Sequence, residues 1–177
     1  MATIPPFMPD GLLPPYRGRP GEEDNHSPWL TDLCELVQRF GTSTRRREVL
    51  RGFLRYRRAL WEAGIREGFQ WVAGSLVERD REPEDVDVVT FSHVEDGEAF
   101  LLQHGELMDI AHLRREYGVD GYFVDTAESA FFLVDAVAYW HGLFSHQRLS
   151  ERWKGMLLIE LGASDFDCRA AAMLEDL

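Results

Sequence analysis

The sequence predicts an α+β (α/β-like) domain, with a small mixed β-sheet of about four or five strands and helices packed mainly on one side. Three observations lead to it. Apolar residues recur at helical spacing through residues 27–63, the period changes to short apolar runs bounded by turns after Gly64, and helical and extended segments then alternate to the end. At 177 residues the chain is long enough for one sizeable core and short for two. It divides into an extended arm, 1–26, and a single domain, 27–177, composed of a helical pair (27–64) and a sheet with its helices (69–177).

The arm is rich in Pro and Gly (IPPFMPDGLLPPYRGRPG) and ends in the polar run Glu22-Glu23-Asp24-Asn25-His26. Phe7, Leu12 and Leu13 are the residues that would pack it on the body. Ser27-Pro28 predicts a helix start, with Ser as N-cap and Pro at the first helical position. Leu30, Leu33, Val37 and Phe40 supply its apolar face, and Gly41 stops it. A second helix is expected over 44–63, where Val49, Phe53, Tyr56 and Leu60 form one stripe and Leu50, Leu54 and Trp61 widen it. Residues 69–73 read as a strand ending at Gly74-Ser75, and 86–91 as a second strand between the turn residues Glu82-Pro83-Glu84 and Asp96-Gly97. Residues 98–116 read as helix broken near Gly105, and 119–124 as a third strand. Thr126 is expected to cap a strongly apolar helix (AESAFFLVDAVAYWHGLF). A fourth strand over 155–161 and a short helix from Asp165 complete the chain.

The net charge of -12 and pI near 4.9 remove any general electrostatic attraction for nucleic acid, DNA included. Two cysteines, Cys34 and Cys168, without a CxxC pair argue against a disulfide framework or a zinc site. No run approaches the ~18–20 apolar residues that span a bilayer, and the N-terminus lacks signal-peptide regions. The expectation is a cytoplasmic protein that makes no membrane contact.

The chemistry concentrates at Asp85-Val86-Asp87-Val88-Val89. Residues i and i+2 of a strand face the same way, so Asp85 and Asp87 project together while Val86 and Val88 point into the core. Two adjacent carboxylates repel unless a cation sits between them or one keeps its proton. Magnesium takes one or two carboxylates together with phosphate oxygens and water, so this Asp-x-Asp is a candidate Mg2+–nucleotide platform. Gly74-Ser75, at the end of the preceding strand, suits close approach of backbone to a phosphate. Residues 76–80 would start a short helix with its amides facing the same anion. A third carboxylate is expected from a neighbouring strand: Asp120, or Asp125 at that strand's other end.

Hydrophobic-Gly-Ser, a nine-residue gap, Asp-Val-Asp-Val and a later strand acid resemble the polymerase-β-type nucleotidyltransferase superfamily. The chain is most similar there to the short minimal nucleotidyltransferase-like proteins of bacteria. The likeness extends to Gly11 to Pro15 (GLLPP), Tyr139-Trp140, Phe144 and Lys154-Gly155. The resemblance implies a nucleotidyltransferase-like fold and residue-specific roles. Gly74 and Ser75 would hold the β- and γ-phosphates of an NTP. Asp85 and Asp87 would bind two metal ions, Mg2+ or Mn2+, with the triphosphate. Asp120 would complete the second metal site and help deprotonate an attacking hydroxyl on a protein or RNA acceptor.

Several features bear on alternatives. Arg47, Arg51, Arg55 and Arg58 follow one helical period, within a stretch holding seven of the 19 basic residues. They form either a solvated face or a docking stripe for phosphates or an acidic partner protein. Lys154, the chain's single lysine, is either a surface residue or an ammonium placed over a phosphate. His141 and His146 straddle a helix end, spacing that favours structural or surface roles over metal ligation. Trp140, Tyr139, Phe131 and Phe132 are expected in the core. Glu78, Asp80, Glu82 and Glu84 place negative charge near the phosphate site, with Arg79 and Arg81 available to offset it, and Gly121 follows Asp120 where a branched residue would suit a strand. The last two points favour the competing reading, a catalytically silent subunit of a toxin–antitoxin or defence pair that binds a partner protein. A metal-dependent glycosyltransferase lacks the alternating β/α half it would need upstream.

Overall fold

The computed structural model describes residues 4–19, 25–148, 150–162 and 164–176; the acidic run Glu22, Glu23 and Asp24 lies outside them. In chain order the elements are β1 (Trp29–Thr31), α1 (Leu33–Phe40), α2 (Thr44–Glu62), β2 (Phe69–Ala73), β3 (Val86–Ser92), α3 (Gly97–His104), α4 (Ile110–Tyr117), β4 (Val119–Asp125), α5 (Ala130–Phe144), β5 (Leu157–Glu160) and α6 (Ser164–Asp176). Single 3₁₀ turns follow β2 (Gly74–Val77) and α3 (Gly105–Met108). The strands form one mixed sheet in the order β1-β5-β2-β3-β4, with β1/β5 and β3/β4 parallel and the two inner pairings antiparallel. The expected α+β class and mixed sheet are therefore observed.

Helices α1, α2, α4 and α6 cover one face. Val72, Val86, Val88, Val119, Leu157 and Ile159 of the sheet meet Leu36, Val37, Leu50, Phe53, Leu60 and Leu113 there, all 4% exposed or less. Each such side chain contributes about 1.5–3 kcal/mol when fully buried. A polar chain crosses this core: Arg57 donates to Gln70 Oε1 (2.7 Å) and the Glu160 carbonyl (3.0 Å) and pairs with Asp167 (3.2 Å), while Gln70 donates to Thr90 Oγ1 (2.9 Å). Every member has a partner, which is the condition for burying such groups without a large penalty.

Among the described residues, α5 is the one helix on the other face, packing through Leu133, Ala136, Trp140 and Phe144 against Trp71, Val89, Phe91 and Tyr122. Phe131, Phe132 and Tyr139 are therefore not core residues as expected. They are 85%, 43% and 63% exposed, because one stripe of a solitary helix reaches the sheet and the rest points outward. Among the described residues no helix is long and apolar enough to cross a membrane.

Two helix starts differ from expectation. Ser27 does not cap a helix: its hydroxyl accepts from Met156 N (2.9 Å), Trp29 N donates to the Met156 carbonyl, and residues 29–31 become a strand beside β5. Asp32 caps α1 instead, accepting from Glu35 N. Thr126 gives its N–H to the Ser92 carbonyl, and Ser129 caps α5. The arm packs on the body as expected, with Leu12 and Leu13 buried, Phe7 edge-on to Phe40, and Gly155 N donating to the Leu13 carbonyl. Neither Cys34 nor Cys168 is in a disulfide.

Candidate functional site

Strand register brings the acids together. Asp87 lies opposite Ala73 of β2 on one side and Asp120 of β4 on the other, and Asp85 stands just before β3. Val86 and Val88 face the helical core, so Asp87 and Asp120 face the other side of the sheet, with Tyr122 next along β4. Asp125 lies at the far end of β4, opposite Ser92, where it holds His93 at 3.0 Å. Of the two candidates for the third acid, only Asp120 is near the pair.

These carboxylates line a cavity of about 1090 Å³, together with Gly74, Ser75, Lys154, Arg81, Arg114 and Arg148 and the C-terminal end of α5. That is ample for a nucleotide-sized ligand. Burial lifts the Asp87 carboxyl from 3.8 to about 6; the charges of Asp85 and Asp120 add to the rise, and Lys154 and Arg148 oppose it. Burial also raises Asp85, with Asp120 adding and Arg114 opposing. Asp120 is 5% exposed; its Oδ2 accepts from Arg114 Nη2 at 2.6 Å, while its buried Oδ1 has no partner.

The glycine of Gly74-Ser75 is dictated by the site. Its φ is +71, and a Cβ there would collide with the Asp87 carboxylate. The turn that follows is one 3₁₀ turn starting at Gly74, not a helix over 76–80. Glu78 is extended and buried, which ends it. Buried Arg46 holds this segment, donating to the carbonyls of Leu76 (2.7 Å), Arg81 (2.6 Å) and Glu78.

Lys154 is neither a surface residue nor an open ammonium, and it precedes β5 rather than opening it. It is 3% exposed and donates to Glu78 Oε1 (2.6 Å) and the Gly74 carbonyl (3.0 Å), so it fixes the Gly-Ser turn. The acidic loop is largely compensated. Glu78 also meets Gln147 (2.8 Å) and Arg81 (3.5 Å), Asp80 pairs with Arg79, and Glu82 meets Ser43 and Arg46. Gly121 is explained by α4, which lies so close that a Cβ would stand 2.8 Å from Leu113 Cδ1.

The arginine stripe is mostly engaged within the chain. Arg51 donates to the Leu174 carbonyl, Arg55 to the Glu116 carbonyl, and Arg58 pairs with Glu62; Arg47 is half-buried. His146 Nδ1 lies 2.9 Å from the Gly142 carbonyl and 3.1 Å from Ser145 Oγ, a structural position. Arg114, Tyr122 and Arg148 were not anticipated. The available signal for Arg114 was its place in the last turn of a helix, six residues before Asp120.

Among the described residues, no group of three or more His, Cys, Asp or Glu side chains is arranged as a ready metal cage. The donor set nevertheless fits a divalent cation. Two partly buried carboxylates hold their protons unusually well, a third offers an orphaned buried oxygen, and a glycine leaves the approach open.

Fold and site together define an α+β protein with an acidic cavity on the less covered face of its sheet. The chain belongs to a family of unknown function, DUF6932, whose family model matches residues 5–160. No curated protein and no solved structure matches it.

Proposed function

We propose that the protein is a divalent-cation-dependent nucleotidyltransferase that moves a nucleoside monophosphate from an NTP to a hydroxyl of a protein or RNA. The observation that carries this reading is the convergence of Asp85, Asp87 and Asp120 with the Gly74-Ser75 turn at one cavity, where burial leaves the acids short of positive charge. Asp85 and Asp87, with Asp120 beside them, would hold Mg2+ or Mn2+. Bound there, the cation would supply charge neutralisation for the triphosphate and the departing pyrophosphate. Gly74 and Ser75 offer backbone and hydroxyl to the β- and γ-phosphates, and Lys154 keeps that turn in place. In the transfer, the acceptor oxygen bonds to the α-phosphorus as the bond to the bridging oxygen breaks, and pyrophosphate leaves. Asp120 would receive the hydroxyl proton.

The test is incubation with α-labelled NTPs, Mg2+ or Mn2+, and cell lysate, beside an Asp85→Ala/Asp87→Ala variant. Label is expected on a macromolecule with the wild type alone. No transfer, with no binding of metal–nucleotide, sinks the reading.

A catalytically silent subunit that binds a partner protein, within a toxin–antitoxin or defence pair, is the second reading. The outward face of α5 favours it, since Phe131, Val134, Tyr139 and Leu143 form an apolar surface of the kind that marks interaction sites. The arginine stripe favours it less, because three of its four members already have partners.

A further inference from the structure

The third acid differs from the other two in what it touches. Among the described residues, Asp85 and Asp87 have no cationic side chain in hydrogen-bonding contact, whereas Asp120 Oδ2 carries the Arg114 guanidinium at 2.6 Å. Arg114 comes from the last turn of α4, just ahead of the Gly118 cap that leads into β4. Its side chain is 54% exposed at the cavity rim, while that of Asp120 is 7% exposed. The charge balance of the cavity is therefore uneven. On the Asp120 side a cation is in direct contact; on the Asp85–Asp87 side Lys154 and Arg148 act on Asp87 only at longer range, and Lys154 is held by Glu78 and the Gly74 carbonyl.

Asp120 is not fully satisfied by this pairing. Its Oδ1 is buried without a partner, among the same carboxylates. A buried carboxylate oxygen left bare is unfavourable, so Oδ1 is open to one further hydrogen-bond donor, the acceptor hydroxyl. Arginine keeps its charge at every accessible pH and cannot be displaced by deprotonation. An exchange at Asp120 would thus require a metal ion to compete with a permanent charge already in contact.

We propose that Arg114 takes the place of a second cation, so that the site holds a single divalent ion, at Asp85 and Asp87, with the guanidinium on Asp120 as the second positive charge. This rests on the nucleotidyltransferase reading above. The arrangement makes Arg114 a positioning residue: it fixes Asp120 through Oδ2 and leaves the buried Oδ1 unpaired.

The test counts ions directly. The full-length protein is titrated with Mn2+ in the presence of a non-hydrolysable ATP analogue, and bound ions are counted by electron paramagnetic resonance of free Mn2+. The wild type is expected to bind one ion in all per protein–analogue complex, the ion on the triphosphate included, and Arg114→Gln two. Arg114→Lys, which keeps a cation, should stay at one. Two ions on the wild type, or one on Arg114→Gln, overturns the proposal while leaving the nucleotidyltransferase reading standing. No Mn2+ on any form overturns both. Circular dichroism confirms that each variant is folded, and Arg114→Ala serves as a second neutralising variant.

Discussion

Asp87→Asn is expected to make the metal-free protein more stable at neutral pH. The Asp87 carboxyl titrates near 6 in the fold, against 3.8 as its ordinary value, chiefly because it is buried and faces Asp85 and Asp120. Below about pH 4 the group is protonated in both states and nothing is lost. As pH rises through the window from about 4 to about 6, the unfolded chain releases the proton first. The fold is therefore progressively destabilised, with a ceiling of about 3 kcal/mol at pH 7 and above, at ~1.36 kcal/mol per pH unit. Asn removes that penalty at similar shape. For a domain of this length the gain corresponds to roughly 6–12 °C in Tm. The assay is thermal unfolding of both proteins in chelator at pH 5 and pH 8. The difference at pH 5 should be about half that at pH 8, and saturating Mg2+ with nucleotide should raise the wild type at pH 8 but not the variant. A variant no more stable than wild type at pH 8 without metal refutes the reasoning.

Other perturbations have definite expected outcomes. Lys154→Met leaves Glu78 buried without its closest cation and should destabilise by roughly 3–5 kcal/mol, with much of the loss recovered when Glu78→Gln is added; denaturant unfolding measures both. Gly74→Ala meets the Asp87 carboxylate and a left-handed backbone worth about 1–2 kcal/mol, so nucleotide titration should show a larger loss than unfolding does. Gly121→Val should destabilise by about 1–3 kcal/mol by overpacking against Leu113, read as a lower denaturation midpoint.

The inner strands and the long helix are legible in the sequence because each carries its own signal. Residues 69–73 and 86–91 are short, mostly apolar runs bounded by turn residues, and α2 presents an unbroken apolar stripe from Val49 to Leu60. The short edge strand β1 is not legible. Three residues hold too little periodicity, and Ser27 serves the distant Met156 instead of a local helix. The site follows the same division. Asp85, Asp87 and Gly74 are legible because strand alternation and backbone freedom are local properties. The partnership of Arg114 with Asp120, of Lys154 with Glu78 and of Arg46 with the 76–81 carbonyls is tertiary, and residue spacing carries no trace of it. The apolar composition of α5 misled in the other direction. A helix that is apolar all round is ordinarily buried, yet this one presents most of its circumference to the surface.

The central claim is that Asp85 and Asp87 hold a metal-bound nucleotide against the Gly74-Ser75 turn. Isothermal titration of the full-length protein with each of the four NTPs, with Mg2+ and then with chelator, tests it most directly. At least one NTP is expected to bind with Mg2+ present, at least tenfold more weakly in chelator, and not detectably to Asp85→Ala/Asp87→Ala. Binding that is indifferent to Mg2+ and to the double substitution, or no binding by any NTP, contradicts the claim.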